Sequence, residues 1–144
     1  MRHGDLIVGL TRAVQAAGAY WQHPTMTPRQ FALLRALADL AAEGKENDRI
    51  NQMRITAATG MDRSTLADVL RRLEARKLIR RKRDKDDRRS LIVTLTPEGR
   101  AQLADAEKTA AEVERWMLSC IHIRHHAGFA GGVESLAEAH AVMT

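Results

Sequence analysis

One stretch, residues 62–95, limits what this chain can fold into. It opens Asp-Arg-Ser-Thr-Leu-Ala-Asp-Val-Leu-Arg-Arg-Leu-Glu-Ala-Arg-Lys. Leu66, Val69, Leu70 and Leu73 fall at i, i+3, i+4 and i+7, which is one face of a helix. Asp62 is a good N-cap for that helix. Next comes Leu-Ile-Arg-Arg-Lys-Arg, a short strand candidate, then the charged run Asp-Lys-Asp-Asp-Arg-Arg. Ser90 to Leu95 reads as a second strand, with Leu91, Val93 and Leu95 on one face at period two.

Helix, strand, basic loop, strand is the pattern of a winged helix, a helix-turn-helix with an added hairpin. The charge points the same way. Residues 71–89 hold eleven Lys/Arg against four Asp/Glu, a local balance of +7 in a chain whose total is +5, so the remainder is −2. Basic character gathered on one helix and its neighbouring loop is the footprint of phosphate binding. The plain alternative is a solvated charge face. The acids here do not interleave evenly with the bases, which argues against it.

A chain of 144 residues is about one domain and can bury a proper core. Aromatic residues make up only 3%, so Leu, Ala, Ile and Val on helices suit it better than a β-sandwich. The expected class is mainly α with a small β-hairpin wing. A single cysteine, Cys120, permits no internal disulfide and suggests a reducing compartment. The apolar run at the start is too short for a signal peptide, and none reaches membrane-span length, so the expected location is cytoplasmic.

In chain order, residues 5–21 read as a first helix, with Leu6, Leu10, Ala13, Ala17 and Trp21 on one face, widened by Ile7 and Val14. Such a face packs either on a partner subunit or within the same chain. After a break at His23-Pro24-Thr25-Met26, Thr27, Pro28 and Gln30 form a capping box with proline at the first position. Phe31, Leu34, Leu37 and Ala41 make the stripe of that second helix, beside Leu33 and Leu40, and Gly44 ends it. Residues 45–48 read as a polar loop and 49–51 as a short strand. Residues 52–59 form a third helix with Met53, Ala57 and Ile55 inward, stopped by Gly60. Thr96-Pro97-Glu98 starts a long helix, with Leu103, Ala106, Ala110, Val113, Met117 and Cys120 or Ile121 on its stripe. It is expected to end within 122–128, followed by a loop at 129–132 and a last short helix over 133–142.

At Met61-Asp62-Arg63-Ser64-Thr65, Arg72-Leu73-Glu74-Ala75, Asp87-Arg88-Arg89 and Leu95-Thr96-Pro97-Glu98-Gly99 the sequence resembles the multiple-antibiotic-resistance regulator (MarR) family. The match covers residues 28–100. The resemblance implies a winged-helix homodimer that binds palindromic operator DNA and represses transcription, with residues 1–22 and 101–144 as dimerisation helices around the core. In a helix-turn-helix the second helix enters the major groove by its N-terminal end. The residues expected to meet DNA are therefore Arg63, Ser64, Thr65, Asp68, Arg71 and Arg72 on that helix, with Arg81, Arg83, Lys85, Asp87, Arg88 and Arg89 on the wing. By resemblance, Asp87 would brace the wing and Arg89 would reach a minor groove. Three positions depart from the family pattern. Asp68 could accept from a cytosine amino group or pair with Arg72 four residues on, and the pair is favoured. Residues 43–49 make a longer loop than usual. Lys77 stands where the family commonly has glycine.

Cys120, His122, His125 and His126 form the one cluster of metal-type ligands. If the helix ran through them, His122 and His126 would share a face at i, i+4. The spacing matches no strong motif, so a solvated helix end is the expectation, and no metal or cofactor is assigned. A lone Cys on a core stripe is ordinarily a small buried apolar residue. No phosphate loop, nucleophile motif or carboxylate pair points to an enzyme. The expected partners are double-stranded DNA and a second copy of the chain, with room for a small-molecule effector and no membrane. The rival readings are a winged-helix protein that coats DNA or serves replication or partition of a mobile element, and a module that binds protein.

Overall fold

The chain opens, in a computed structural model that describes residues 1–44 and 49–143, with helix α1 (Asp5–Tyr20). None of its residues is buried within the chain, and Leu6, Ile7, Val8, Leu10 and Val14 are all exposed. Helix α2 (Pro28–Ala42) begins as its caps dictate. The Thr27 hydroxyl accepts from the Gln30 N–H at 3.1 Å, and the Gln30 side chain accepts from the Thr27 N–H at 3.1 Å. Its Leu33, Leu34 and Leu37 are completely buried, while Phe31, Leu40 and Ala41 pack at the core's edge. The expected loop at 45–48 lies outside the described residues, and so does most of the long loop at 43–49.

Helix α3 (Gln52–Thr59) has the expected bounds but not the expected inner face. Ile55 is fully buried, whereas Met53 is 78% exposed and Ala57 is exposed as well. Eight residues give barely two turns, too few for periodicity to fix a face, and Ile55 alone points at α2 and the wing. Gly60, at φ 68°, closes α3, and its N–H donates to the Thr56 carbonyl at 2.8 Å. The positive φ favours glycine there, and a side chain would also press on the His140 ring at 2.8 Å, which would have to shift.

Helix α4 (Arg63–Ala75) starts from Asp62, whose carboxylate accepts from the Thr65 N–H at 2.7 Å. Leu66, Val69, Leu70 and Leu73 are buried, the stripe that the spacing predicts. The helix ends in a Schellman turn: the Leu78 N–H donates to the Leu73 carbonyl and the Lys77 N–H to the Glu74 carbonyl. Lys77 sits in the left-handed region at φ 60°, so the turn keeps the form a glycine would give it. Strands β1 (Ile79–Arg83) and β2 (Leu91–Leu95) pair antiparallel, with Ile79 opposite Leu95 and Arg83 opposite Leu91. The expected strand at 49–51 contributes only one bridge, Asn51 to Ile92, and a bond from the Val93 N–H to the Ile50 carbonyl.

Helix α5 (Pro97–Ser119) is capped by the Thr96 hydroxyl and buries Leu103, Ala106 and Val113. It stops at Cys120, earlier than expected. Cys120 is exposed, and so is not the buried apolar residue foreseen. A short 3-10 turn (Ile123–His125) leads into α6 (His126–Met143). The expected loop at 129–132 is helical throughout. Phe129 and Val133 line the cleft described below, in a helix that continues through the poor helix formers Gly128, Gly131 and Gly132. One core, from α2, α3, α4, the hairpin and the first half of α5, holds the helix-turn-helix and its wing together.

A candidate nucleic-acid interface and an adjoining cleft

The exposed side of α4 carries Arg63, Ser64, Ala67, Arg71 and Arg72. Thr65 is half-buried, and its hydroxyl donates to the Asp62 carboxylate at 3.0 Å, so it serves the helix cap first. These hydrogen bonds hold the Asp62 carboxyl below the usual carboxylate range. Asp68 bridges two arginines: Arg71 lies 2.6 Å from one oxygen and Arg72 2.9 Å from the other. The hydrogen bond from Arg72, then that from Arg71, depresses the Asp68 pKa. Of the two readings of Asp68, the intrahelical pair is the one seen, and it also engages Arg71.

Much of the positive charge in residues 71–89 serves the fold. Arg76 donates to the Thr25 carbonyl at 2.6 Å. Arg81 grips Glu74 with two bonds of 3.1 and 2.9 Å, joining the end of α4 to β1. That pair lowers the Glu74 pKa and raises that of Arg81. Arg83 donates to the Arg88 carbonyl at 3.0 Å. At the wing tip Lys85, Arg88 and Arg89 are exposed. The tip is internally bonded: the Asp84 N–H donates to the Ser90 carbonyl, and the Ser90 N–H to the Asp87 carbonyl, both at 2.9 Å. The Asp87 carboxylate accepts from the Arg89 N–H at 3.1 Å. Exposed cations therefore run from Arg63 at the start of α4, through Arg71 and Arg72, to Arg80, Lys82 and Arg83 on β1 and Lys85, Arg88 and Arg89 at the wing tip.

Two further acids of the tip, Asp84 and Asp86, pair with Arg49, which sequence reading leaves out of the site. The hydrogen bond that Arg49 donates to Asp86 and the charges of both acids raise the Arg49 pKa. The one clue in the sequence is that acids match bases, three to three over residues 84–89, in a loop expected to be basic.

A cleft of about 1030 Å³ lies beside α4. Leu10, Val14, Ala17 and Trp21 line it from the first helix, Val113 and Met117 from α5, and Phe129 and Val133 from α6. Its polar rim is Thr27, Arg29, Ser64, Thr65, Asp68 and Arg72. Four of the six α4 residues expected at DNA, Ser64, Thr65, Asp68 and Arg72, thus edge an apolar pocket of ligand size.

The Cys/His cluster does not share a helix face, because α5 ends before it. His122 caps the 3-10 turn, its Nδ1 accepting from the Arg124 N–H at 3.3 Å. His126 Nε2 lies 2.9 Å from the Leu118 carbonyl and 2.8 Å from that of Ile121, satisfying the end of α5. Among the described residues no group of three His, Cys, Asp or Glu side chains is placed to hold a metal ion.

An exposed recognition helix, a basic wing and a buried winged-helix core define a DNA-binding protein of the helix-turn-helix class. The sequence profile of the MarR family matches residues 25–90. The transcriptional regulator HosA of Escherichia coli is 38% identical over 99 residues, 67% of this chain and 68% of HosA. Among solved structures, BpsR of Bordetella bronchiseptica, whose DNA binding is regulated by 6-hydroxynicotinic acid, superposes with a TM-score of 0.78 at 28% identity, over 92% of this chain and 98% of BpsR. The transcriptional repressor CouR, bound to a 23-mer DNA duplex, superposes with a TM-score of 0.75 at 29% identity, over 95% and 98% of the two chains. The chain belongs to the MarR family of DNA-binding transcriptional regulators, and is not an enzyme.

Proposed function

We propose that this regulator is a homodimeric repressor that binds a two-fold symmetric operator and is released by a small molecule held in the cleft beside α4. The observation that carries the reading is the pairing of two surfaces. One is the basic one made by Arg63 with Lys85, Arg88 and Arg89. The other is the apolar one made by Leu6, Ile7, Leu10 and Val14, which α1 leaves open to solvent. A single winged helix makes few base contacts, and a two-fold partner doubles them. An apolar helix face of this extent needs a cover, and a second copy brought together through α1, α5 and α6 supplies one. On this reading residues 28–100 read the DNA, while residues 1–22 and 101–144 join the subunits. The protein works in the cytoplasm, beside the DNA. No helix among the described residues is long and apolar enough to cross a membrane.

Ser64 meets base edges in the major groove, and Arg63, Arg71 and Arg72 flank it on the backbone. Arg89 enters the minor groove. CouR on its duplex supports the repressor reading, BpsR with its regulating acid supports a small-molecule effector, and the apolar cleft beside α4 is the place of ligand size for it. The test is a footprint on the DNA upstream of the protein's own gene, with light scattering on the same sample. Protection of one short palindrome by a species of twice 16.1 kDa is expected. Extended or repeated protection would favour the DNA-coating alternative, and a mass of one chain would remove the dimer.

A further inference from the structure

We propose that Arg49 is a positioning residue for DNA binding, a brace that fixes the wing tip against the helix-turn-helix through Asp84 and Asp86. The inference rests on the reading that the wing meets DNA. The main chain at Arg49 is held from both sides. Its carbonyl accepts from the Arg54 side chain on α3 at 3.0 Å. The next carbonyl, of Ile50, accepts from Val93 in β2 at 2.8 Å, and Asn51 caps α3 by accepting from the Arg54 N–H at 2.9 Å. The base of the Arg49 side chain is therefore part of the frame that sets α3. Its guanidinium reaches 35 and more residues along the chain, to the Asp86 carboxylate and, at 3.7 Å, to that of Asp84. The Asp84 side chain is only 11% exposed, and its carboxylate also accepts from the Asp86 N–H at 3.0 Å. One cation thus gathers the two acids on the β1 side of the tip, while Asp87 organises the other side through the Arg89 N–H.

This arrangement answers a difficulty of charge. Three carboxylates in a hairpin tip oppose an approaching phosphate backbone. With Asp84 and Asp86 engaged by Arg49, the outward field of the tip is set by Lys85, Arg88 and Arg89. An ordered tip also loses less conformational freedom on binding than a loose one. The brace predicts a sign that charge counting does not: removing the two acids weakens DNA binding although it removes negative charge.

The experiment is a double-mutant cycle on the full chain, titrated against its footprinted operator at two salt concentrations, with amide hydrogen exchange of the free protein. Arg49→Ala is expected to weaken binding about three- to tenfold, with the unfolding midpoint nearly unchanged and faster exchange at the Asp86 and Arg89 amides. The pair Asp84→Asn with Asp86→Asn is expected to weaken binding to a similar degree, and the triple variant no further. Two results overturn the brace. One is tighter binding by the double asparagine variant. The other is an equal Arg49→Ala loss in both backgrounds with a salt slope lower by about one, which makes Arg49 a phosphate contact. Arg89→Ala separates the brace from the reading beneath it. If Arg89→Ala weakens binding and Arg49→Ala does not, the brace alone fails. If neither does, the wing reading fails with it.

Discussion

The carbonyl oxygen of Leu78 lies 2.1 Å from the point where a Cβ on Gly99 would sit. The first turn of α5 is pressed onto the start of β1, and the Thr96 N–H and hydroxyl both reach the same carbonyl, at 3.1 and 3.0 Å. The atom in the way is backbone, held by those bonds, and cannot step aside as a side-chain tip would. Gly99→Ala should therefore cost about 3 kcal/mol of stability, the upper end of what overpacking typically costs. Urea unfolding of the two proteins measures it, and an unchanged midpoint would mean that α5 can slide away from the wing.

Lys77 offers the opposite result. It occupies the C′ position of the Schellman turn at φ 60°, where a Cβ costs about 1 kcal/mol relative to glycine. Lys77→Gly should raise the urea midpoint at constant slope, by about 0.5–1 kcal/mol in stability. A lower midpoint would show that the lysine side chain contributes more than its backbone strain costs.

What could be read from the sequence was what neighbouring residues decide. Thr27 with Gln30, Asp62 and Thr96 each announce a helix start within three residues, and the α4 stripe spans enough turns to fix its face. Of the three residues expected inward on α3, Ile55 is buried but Met53 and Ala57 are exposed, because α3 is too short for a period to speak. The run 129–132 read as a loop because its glycines favour one locally, while its place beside the cleft depends on α1 and α5. The site divides in the same way. Asp68 pairs within its own helix and was legible. Arg49 meets Asp84 and Asp86 only after β1 and β2 have formed, and nothing near Arg49 in the sequence signals them.

The wing yields a prediction about sign. Arg89 is exposed, so Arg89→Ala should leave folding nearly unchanged while costing about 1–3 kcal/mol in operator binding. Asp87→Ala should weaken binding too, since its carboxylate accepts the Arg89 N–H that sets the direction of that residue. Charge alone predicts tighter binding for the aspartate variant. Tighter binding at both of two salt concentrations would reduce the wing to a charged surface.

Glu74 and Arg81 give stability a dependence on acidity. The Glu74 pKa is depressed in the folded chain, first by its hydrogen bond from Arg81. A depressed carboxylate contributes stability that is fully present above its unfolded value, about 4.3, and is lost as pH falls through the lower folded value. The native protein should lose stability on acidification below about pH 4.3 more steeply than Glu74→Gln. Parallel stability curves for the two proteins would mean that the pair contributes nothing in solution, as exposed pairs sometimes do.

Helix α1 has two exposures. Leu10, Val14 and Ala17 form a wall of the cleft, while Leu6, Ile7 and Val8 stand open beyond it. On the proposed dimer, a molecule seated in the cleft leans on the helix by which the subunits hold each other. Linkage makes such effects reciprocal: whatever the molecule does to subunit affinity, the second subunit does to the affinity for the molecule. Dilute and concentrated solutions of this protein would then report different affinities for the same small molecule, and the cell's own supply of the regulator would set how much effector it takes to release a promoter.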